Sequence, residues 1–208
     1  AWKLAPALIA GNTAILKPAS NAPLSGWRIV EACHEAGIPK GVVNFIAGPG
    51  GELGEALVSA EPLKAISFTG SCDVGNWLHE KASKRRLRIQ LEMGGKNPTI
   101  VLNDADLNTA VANTVNAAMA STGQKCTATS RVIVEEGIYG QFVTALVEKT
   151  KALKVGDGLK PGVDIGPVID KAQLETNARY VEIAKKEGAK LECGGNILDS
   201  GDYSKGYF

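Results

Sequence analysis

One cysteine of the chain stands in a sequence context that suits a nucleophile. Cys126 lies in the segment Gly123-Gln124-Lys125-Cys126-Thr127, between a predicted helix and a predicted strand. A reactive thiolate needs a polar, partly exposed setting, whereas a structural cysteine usually sits among apolar neighbours. The segment therefore favours Cys126 as a nucleophile over the other three cysteines, Cys33, Cys72 and Cys193.

A carboxylate stands immediately before a break in the chain pattern. In Leu91-Glu92-Met93-Gly94-Gly95-Lys96-Asn97-Pro98, Glu92 comes at the end of a predicted strand and two glycines follow. We expect loop-like backbone exposed to a cleft at this point, where a carboxylate can act as a general base. A solvent-facing loop glutamate without a chemical role fits the same residues, and without further context it is the preferred interpretation.

Two glycine-containing turns each join a predicted strand to a predicted helix. The first is Gly48-Pro49-Gly50-Gly51-Glu52-Leu53-Gly54, and the second is Phe68-Thr69-Gly70-Ser71-Cys72-Asp73-Val74-Gly75. Glycine lets the backbone approach a phosphate closely, and a helix N-terminus offers unpaired N–H groups. The first turn lacks the usual dinucleotide spacing, and a tight turn without a ligand would look the same. Two such turns at the carboxyl ends of neighbouring strands nevertheless favour nucleotide binding.

The elements that must position these residues alternate between strands and helices. We predict strands at residues 13–16, 42–46, 65–68, 98–102 and 131–135, with helices at about 22–36, 53–59 and 71–82 and further helices after residue 107. Such alternation implies βαβ crossovers and a parallel sheet, so the fold class is α/β. Leu107, Val111, Val115 and Met119 recur every four residues and predict one buried helix face. The two glycines after Met93 suggest a domain boundary.

Composition excludes several classes of function. The chain has 208 residues, is 44% hydrophobic and 22% charged, and carries a formal net charge of +1, so neither nucleic acid nor an anionic membrane is an expected partner. No apolar run is long enough to span a bilayer. Two histidines and no CxxC pair argue against a structural metal site and a disulfide framework, which favours a reducing compartment such as the cytoplasm. The basic stretch from Lys81 to Arg88 is interpreted as a solvated helix end rather than a binding patch.

Four motifs in a fixed order carry a resemblance to a known family. They are Lys17-Pro18-Ala19-Ser20, Phe68-Thr69-Gly70-Ser71, the segment around Glu92, and Gly123-Gln124-Lys125-Cys126. In this order, and with Gly156-Asp157, Asp164-Ile165-Gly166-Pro167 and Gly206-Tyr207-Phe208 after them, the chain resembles the aldehyde dehydrogenase superfamily along its whole length. The resemblance implies that residues 1–93 are the C-terminal part of a Rossmann-like NAD(P)-binding domain. It also implies that residues 94–208 are the N-terminal part of an α/β catalytic domain.

The resemblance also implies roles for individual residues. Cys126 matches the nucleophile, which forms a thiohemiacetal and then a thioester, and Glu92 matches the base that activates the hydrolytic water. NADP or NAD is the implied cofactor, and no metal is implied. The positions that match the cofactor site are Lys17, Ser20, Gly50, Gly54, Phe68, Gly70, Ser71, Val74, Met93 and Gly94. Many NAD-preferring relatives carry glutamate at the position of Ser20, and we therefore expect this chain to accept NADP.

The sequence around Cys126 looks most like that of 2-oxoglutarate semialdehyde (2,5-dioxopentanoate) dehydrogenases, with succinate semialdehyde dehydrogenases as the alternative. We expect the chain to be an internal fragment, because the family's oxyanion asparagine would precede Ala1 and its nicotinamide-ribose glutamate would follow Phe208. A small-molecule aldehyde is the expected substrate, and a homo-oligomer, dimer or tetramer, is expected by family analogy. A non-catalytic binding relative would fit the same fold, as would an acylating relative that transfers the thioester to coenzyme A, although Glu92 argues against the latter.

Overall fold

The computed structural model describes residues 1–208 without a gap. It divides into two compact units, unit 1 (Ala1–Met93) and unit 2 (Gly94–Phe208). The division falls at the Gly-Gly break that follows Glu92, because glycine-rich backbone interrupts the pattern of strands on both sides. Each unit is an assembly of parallel strand pairs and helices, so the predicted α/β class is confirmed.

Unit 1 alternates four helices with four strands. The predicted bounds cover three of the helices and three of the strands; the helix at residues 4–9 is not predicted, and the strand that carries Glu92 is predicted without bounds. The helices are α1 (Leu4–Ile9), α2 (Pro23–Glu35), α3 (Gly50–Ser59) and α4 (Cys72–Lys84), and the strands are β1 (Ala14–Leu16), β2 (Val43–Phe45), β3 (Ala65–Gly70) and β4 (Arg88–Met93). β1 pairs with β2 and β3 pairs with β4, both in parallel. The strands form two separate pairs rather than the single parallel sheet that the alternation implies.

One helix start in unit 1 differs from the prediction. The sequence places a glycine turn at residues 48–52 with a helix after it, whereas α3 already begins at Gly50 and follows Pro49 as its N-cap. The fixed φ of proline suits the entry to a helix, and the two glycines adopt helical geometry there instead of an open turn. The end of α2 is as predicted, because Gly37 just beyond it has a φ of 84°.

The basic stretch from Lys81 to Arg88, which covers the last turn of α4 and the residues after it, makes internal contacts. The Lys81 ammonium lies 2.9 Å from the Glu55 carboxylate on α3. The Arg85 guanidinium donates hydrogen bonds to the carbonyls of Val58 and Ala60 at the end of the same helix. These carbonyls are among the last four of a helix, which have no partner within the helix itself. The structure thus explains part of the stretch as a link between α3 and α4.

Unit 2 contains one parallel pair and three helices. The strands are β5 (Asn97–Val101) and β6 (Thr129–Val134), and the helices are α5 (Leu107–Met119), α6 (Glu136–Lys151) and α7 (Lys171–Lys186). A short 3-10 helical segment, Ala120–Gly123, connects α5 to the loop that carries Cys126. The α5 helix therefore returns the chain from the end of β5 to the start of β6.

The core of unit 2 lies between this strand pair and the helices α5 and α6. Its buried members are Val101, Val111, Val115, Ile138 and Phe142, and Leu107 and Met119 pack against them. The predicted stripe of α5 is thus confirmed as a packing face. Full burial of one such side chain contributes about 1.5–3 kcal/mol. None of the helices in the chain combines the length and apolar character required to cross a bilayer.

Candidate active site

Cys126 occupies a corner of a tight turn in unit 2. The peptide N–H of Ala128 donates to the carbonyl of Lys125 at 3.1 Å, so that Cys126 and Thr127 are the two central residues of the turn. The Cys126 side chain is exposed, and β6 starts three residues later at Thr129. All four cysteines of the chain are free thiols. The turn therefore presents the Cys126 sulfur to solvent, as a nucleophile requires.

The backbone just before this turn is strained. Ser121, Thr122 and Gly123 follow one another with φ of 55°, 57° and 69°, all in the left-handed region. A non-glycine residue held in that region costs on the order of 1–3 kcal/mol, and such residues cluster at functional sites. Glycine is required at the third position for a second reason, because a Cβ on Gly123 would lie 2.9 Å from the Ala118 carbonyl oxygen. The sequence gives no sign of the strain at Ser121 and Thr122.

The side chain of Asn97 fixes the backbone of the cysteine turn. Its amide nitrogen donates to the carbonyl of Cys126 at 2.6 Å and to the carbonyl of Ala128 at 3.2 Å. In the opposite direction, the Nε and Nη2 atoms of Arg131 donate to the carbonyl of Lys96 at 3.1 and 2.9 Å. Two side chains thus link the start of β5 to the loop and strand that follow. Neither Asn97 nor Arg131 is predicted from the sequence as a functional residue.

Glu92 lies on regular strand backbone in unit 1, which corrects the prediction of loop-like backbone. It is the last residue but one of β4 and pairs with Thr69 of β3. The prediction was wrong because the ladder with β3 extends through Met93, right up to the Gly-Gly break. The carboxylate is exposed, as predicted. Cys126 and Glu92 belong to different units of the chain.

A chain of hydrogen bonds runs along the surface of the β3–β4 pair to Glu92. The amide nitrogen of Gln90 donates to the Glu92 carboxylate at 3.3 Å, and the Ser67 hydroxyl donates to the Gln90 amide oxygen at 2.8 Å. The Lys3 ammonium in turn donates to the Ser67 hydroxyl at 3.0 Å and to the Phe68 carbonyl at 3.2 Å. The side chains of Ser67, Gln90 and Glu92 are exposed. The network orients Glu92 by its neighbours on the same strand face.

The β3–α4 junction brings together half of the predicted cofactor residues. Phe68 and Gly70 end β3, and Ser71 caps α4 by accepting the Val74 peptide N–H at 3.3 Å. Met93 pairs with Gly70 in the strand ladder, and a Cβ on Gly75 would overlap the Met93 sulfur. The exposed N-terminus of a 13-residue helix at the carboxyl end of a parallel strand is suited to an anionic ligand.

The remaining predicted cofactor residues lie elsewhere. Gly50 and Gly54 belong to the first turns of α3, where a Cβ on Gly54 would contact Trp77 of α4. Lys17 follows β1, and its ammonium donates to the Pro18 carbonyl at 2.8 Å, while Ser20 is exposed three residues on.

The last predicted cofactor residue is Gly94, at the boundary between the units. Gly94 is exposed and begins unit 2. No group of three or more His, Cys, Asp or Glu side chains is arranged to hold a metal ion.

Comparison with known proteins places these features in a family. A model described as the aldehyde dehydrogenase family matches residues 1–208. The alpha-ketoglutaric semialdehyde dehydrogenase of Bacillus subtilis is 46% identical over 207 residues, which cover 100% of this chain and 42% of that protein. The 2,5-dioxopentanoate dehydrogenase of Saccharolobus solfataricus is 46% identical over 209 residues, with coverage of 100% and 43%.

A solved structure agrees at the level of the backbone. Betaine aldehyde dehydrogenase from Staphylococcus aureus in complex with NAD⁺ matches with a TM-score of 0.96 and 37% identity, covering 100% of this chain and 41% of that one. The chain thus spans about two fifths of the length of the curated relatives that it matches. Over its whole length, this chain belongs to the aldehyde dehydrogenase family.

Proposed function

We propose that this chain supplies the nucleophile and the general base of an NAD(P)-dependent enzyme that oxidises an aldehyde to a carboxylic acid. The observation that carries the proposal is the placement of Cys126, an exposed thiol on a turn whose backbone is strained on one side and hydrogen-bonded on the other. Family membership over the whole chain supports the same function. Within this proposal, residues 1–93 bind the cofactor and residues 94–208 carry the nucleophile.

The Cys126 thiolate attacks the carbonyl carbon of the aldehyde, forming a carbon–sulfur bond while the carbonyl oxygen gains the negative charge. The peptide N–H of Cys126 contributes to the stabilisation of that oxyanion. NAD(P)⁺, when bound, supplies the hydride acceptor that turns this adduct into a thioester. Glu92 then removes a proton from water, whose oxygen attacks the thioester carbon. The carbon–sulfur bond breaks, the acid leaves and the Cys126 thiolate is restored.

The residues at the β3–α4 junction fit a dinucleotide. The N-terminal peptide N–H groups of α4 carry partial positive charge, which favours a pyrophosphate. Ser71 caps this end of the helix and Val74 is 45% exposed, so the first turn is accessible. We assign Phe68, Gly70, Ser71, Val74 and Met93 to this contact, together with Gly50 and Gly54 of α3 and Gly94 at the start of unit 2.

The experiment that tests the function measures aldehyde-dependent reduction of NAD⁺ and NADP⁺ by the intact protein, with and without coenzyme A. We expect turnover without coenzyme A, its loss in Cys126→Ala, and in Glu92→Gln a single burst of reduced cofactor that stops at the thioester. Undiminished turnover in Cys126→Ala would refute the proposal. A strict requirement for coenzyme A would favour an acylating enzyme, and cofactor binding without turnover would favour a binding protein.

A semialdehyde that carries a carboxylate is the proposed substrate class, with 2-oxoglutarate semialdehyde first and succinate semialdehyde second. The proposal is supported by the names of the two curated relatives at 46% identity. Comparison of kcat/KM for these two semialdehydes and for an uncharged aldehyde of similar length tests it. A preference for the uncharged aldehyde would contradict the substrate class while leaving the dehydrogenase chemistry intact.

We propose further that the enzyme accepts NADP⁺ because Ser20, three residues after Lys17, carries no negative charge. A carboxylate at position 20 would repel a 2′-phosphate, whereas the exposed Ser20 hydroxyl does not. Ser20→Glu should lower the ratio of kcat/KM for NADP⁺ to that for NAD⁺ by about tenfold, a change that corresponds to ~1.4 kcal/mol. Ser25→Glu, which adds the same charge at an exposed position of α2, is the control. An unchanged ratio in Ser20→Glu would remove Ser20 from the cofactor site.

Homo-oligomerisation and a cytoplasmic location stay predictions.

A further inference from the structure

We infer that Asn97 is a positioning residue for Cys126: its side-chain amide sets the backbone of the nucleophile turn. The inference rests on the proposed function of Cys126 and goes beyond it, because it assigns a role to a residue outside the reacting groups. Its basis is the pair of hydrogen bonds from Asn97 Nδ2 to the Cys126 carbonyl at 2.6 Å and to the Ala128 carbonyl at 3.2 Å. One amide group thus fixes two of the three peptide carbonyls between Cys126 and Thr129.

The turn needs such support because little else orders it. Its only backbone hydrogen bond within the turn joins the Ala128 N–H to the Lys125 carbonyl at 3.1 Å. Before it lie the left-handed residues Ser121 to Gly123, whose strain favours relaxation to other conformations. The Cys126 and Thr127 side chains are exposed, so packing contributes little. The Asn97 amide therefore supplies the main restraint on the C-terminal side of Cys126.

A β-bulge directs Asn97 at the turn. In the β5–β6 ladder Asn97 pairs with Thr129 and Pro98 pairs with Arg131, so Ser130 is an extra residue on β6. A bulge re-aims the side chains beside it and is common next to active sites. Arg131 reinforces the geometry from the other strand, because its guanidinium donates twice to the Lys96 carbonyl, which belongs to the peptide group preceding Asn97. Asn97 is half-buried, which limits the water that could replace its amide.

The chemistry requires an amide rather than any polar group. Two carbonyl oxygens face the same nitrogen, so the side chain must donate two hydrogens, and only an NH₂ group of this length does so. Aspartate has the same shape but would set a carboxylate against both carbonyls. Serine could donate to one of them, and alanine to neither. The series Asn97→Ser, Asn97→Ala and Asn97→Asp therefore grades the loss of the restraint.

The chain offers a matched control two residues further along β5. The hydroxyls of Thr99 and Thr129 form a hydrogen bond of 3.0 Å between the same two strands, and it does not involve the Cys126 turn. Thr99→Val removes that bond with almost no change in shape. Any general weakening of the β5–β6 pair appears in this variant, whereas loss of the restraint on Cys126 does not.

Two measurements on the intact protein test the inference. Amide hydrogen exchange of the peptide that contains the cysteine turn reports whether Asn97 orders it, independently of any enzymatic activity. Steady-state kinetics with aldehyde and NAD(P)⁺ reports its catalytic effect. In Asn97→Asp we expect faster exchange confined to the turn and a fall in kcat of about 10- to 100-fold, with KM for the cofactor unchanged, since small misplacements of a reacting group have effects of this size. Asn97→Ala should show a smaller fall and Asn97→Ser the smallest.

Exchange and kcat in Asn97→Ala that match those of Thr99→Val would overturn the inference. A fall in kcat that comes with an equal rise in KM for the cofactor would also overturn it, because a general structural change would then be the cause. If Asn97→Asp does not fold, Asn97→Ser decides, because it keeps one of the two hydrogen bonds. Failure of the proposed function is separable: it would appear in the unaltered protein as absent aldehyde oxidation, which overturns the catalytic part, while exchange would still decide whether Asn97 orders the turn.

Discussion

Glu92 and Cys126 are supported in different ways by the regions that carry them. Glu92 sits on a strand whose ladder pairs six consecutive residues, Ala65–Gly70 with Arg88–Met93, so regular backbone hydrogen bonds fix its position. Cys126 sits on an irregular turn, where strained residues lie on one side and the side chain of Asn97 on the other. The proposed base lies on repetitive structure, whereas the geometry around the proposed nucleophile depends on particular side chains and on one glycine. Substitutions should therefore have unequal effects in the two regions.

The largest effect should come from Gly123→Ala. The new Cβ would meet the Ala118 carbonyl oxygen at 2.9 Å and the residue would have to keep a φ of 69°. Left-handed geometry costs an L-residue about 1–2 kcal/mol, and the backbone oxygen cannot move aside cheaply, so we expect a loss of about 2–4 kcal/mol in the free energy of unfolding. Urea unfolding measures this loss of stability, and kcat measures its effect on the turn that carries Cys126. Gly140→Ala in α6, where the Cβ meets nothing within 4 Å, is the control and should stabilise by about 0.5–1 kcal/mol.

Gly75→Ala makes the same change in unit 1 and should cost less. Its Cβ would overlap the Met93 side chain, which is flexible and can adopt another rotamer, and Gly75 lies inside α4 with no positive φ. We expect a loss of less than about 2 kcal/mol in stability, with a rise in KM for the cofactor because Met93 moves. Unfolding curves and cofactor titrations on the same preparation check both. A loss as large as that of Gly123→Ala would remove the contrast between the regions.

A smaller effect is expected from Gln90→Leu. The substitution removes the 3.3 Å hydrogen bond to the Glu92 carboxylate and the link to Ser67, but leaves the strand ladder intact. Because the ladder fixes the backbone of Glu92, kcat should fall only about 2- to 5-fold, in line with one exposed hydrogen bond. Gln141→Leu, an exposed position on α6, is the control for the loss of a surface amide. If Gln90→Leu reduced kcat as much as Asn97→Asp, the strand ladder would hold Glu92 no more firmly than the side chain of Asn97 holds the Cys126 turn.

The smallest effect concerns a helix cap away from both residues. Asp106 caps α5 by accepting the Thr109 N–H at 2.8 Å, and hydrogen bonding from the side chain and backbone of Thr109 holds the pKa of Asp106 below its ordinary value. A lowered carboxyl pKa in the folded state means that the stabilisation is complete above the ordinary value of 3.8 and is lost as the pH falls below it. Asp106→Asn keeps a cap but lacks this titration. The Tm of the unaltered protein should exceed that of Asp106→Asn at neutral pH, and the difference should shrink on acidification; a difference that does not change with pH would contradict the assignment.

The sequence predicts the elements well because their signals are local. The alternation of strands and helices, the packing face with Val111 and Val115, and the requirement for glycine at the stops of helices follow from spacing within a few residues. The exposure of Cys126 also follows from its polar neighbours. The catalytic and cofactor roles of individual residues stay predictions.

The details of the Cys126 site could not be predicted in the same way. Asn97 and Cys126 are 29 residues apart, and their hydrogen bond lies beside a bulge that shifts the β5–β6 register between Asn97 and Pro98. The bulge shows in the sequence only as two consecutive polar residues, Ser130 and Arg131, which interrupt the alternation along β6. The left-handed backbone at Ser121 and Thr122 could not be predicted from the sequence, since neither residue type requires it. For Glu92, the Gly-Gly break suggested an earlier end to the strand than the ladder permits.

The sequence separation of the Asn97–Cys126 hydrogen bond also determines when the turn that carries Cys126 can form during folding. The bond closes a loop that contains the whole crossover from β5 through α5, so chain entropy is lost before the contact is gained. The strand that carries Glu92 follows β3 in the chain, and once the two meet their ladder can propagate residue by residue. On the ribosome, the cysteine turn therefore acquires its final geometry only after β6 has emerged and paired, and the thiol stays unrestrained until that pairing is complete.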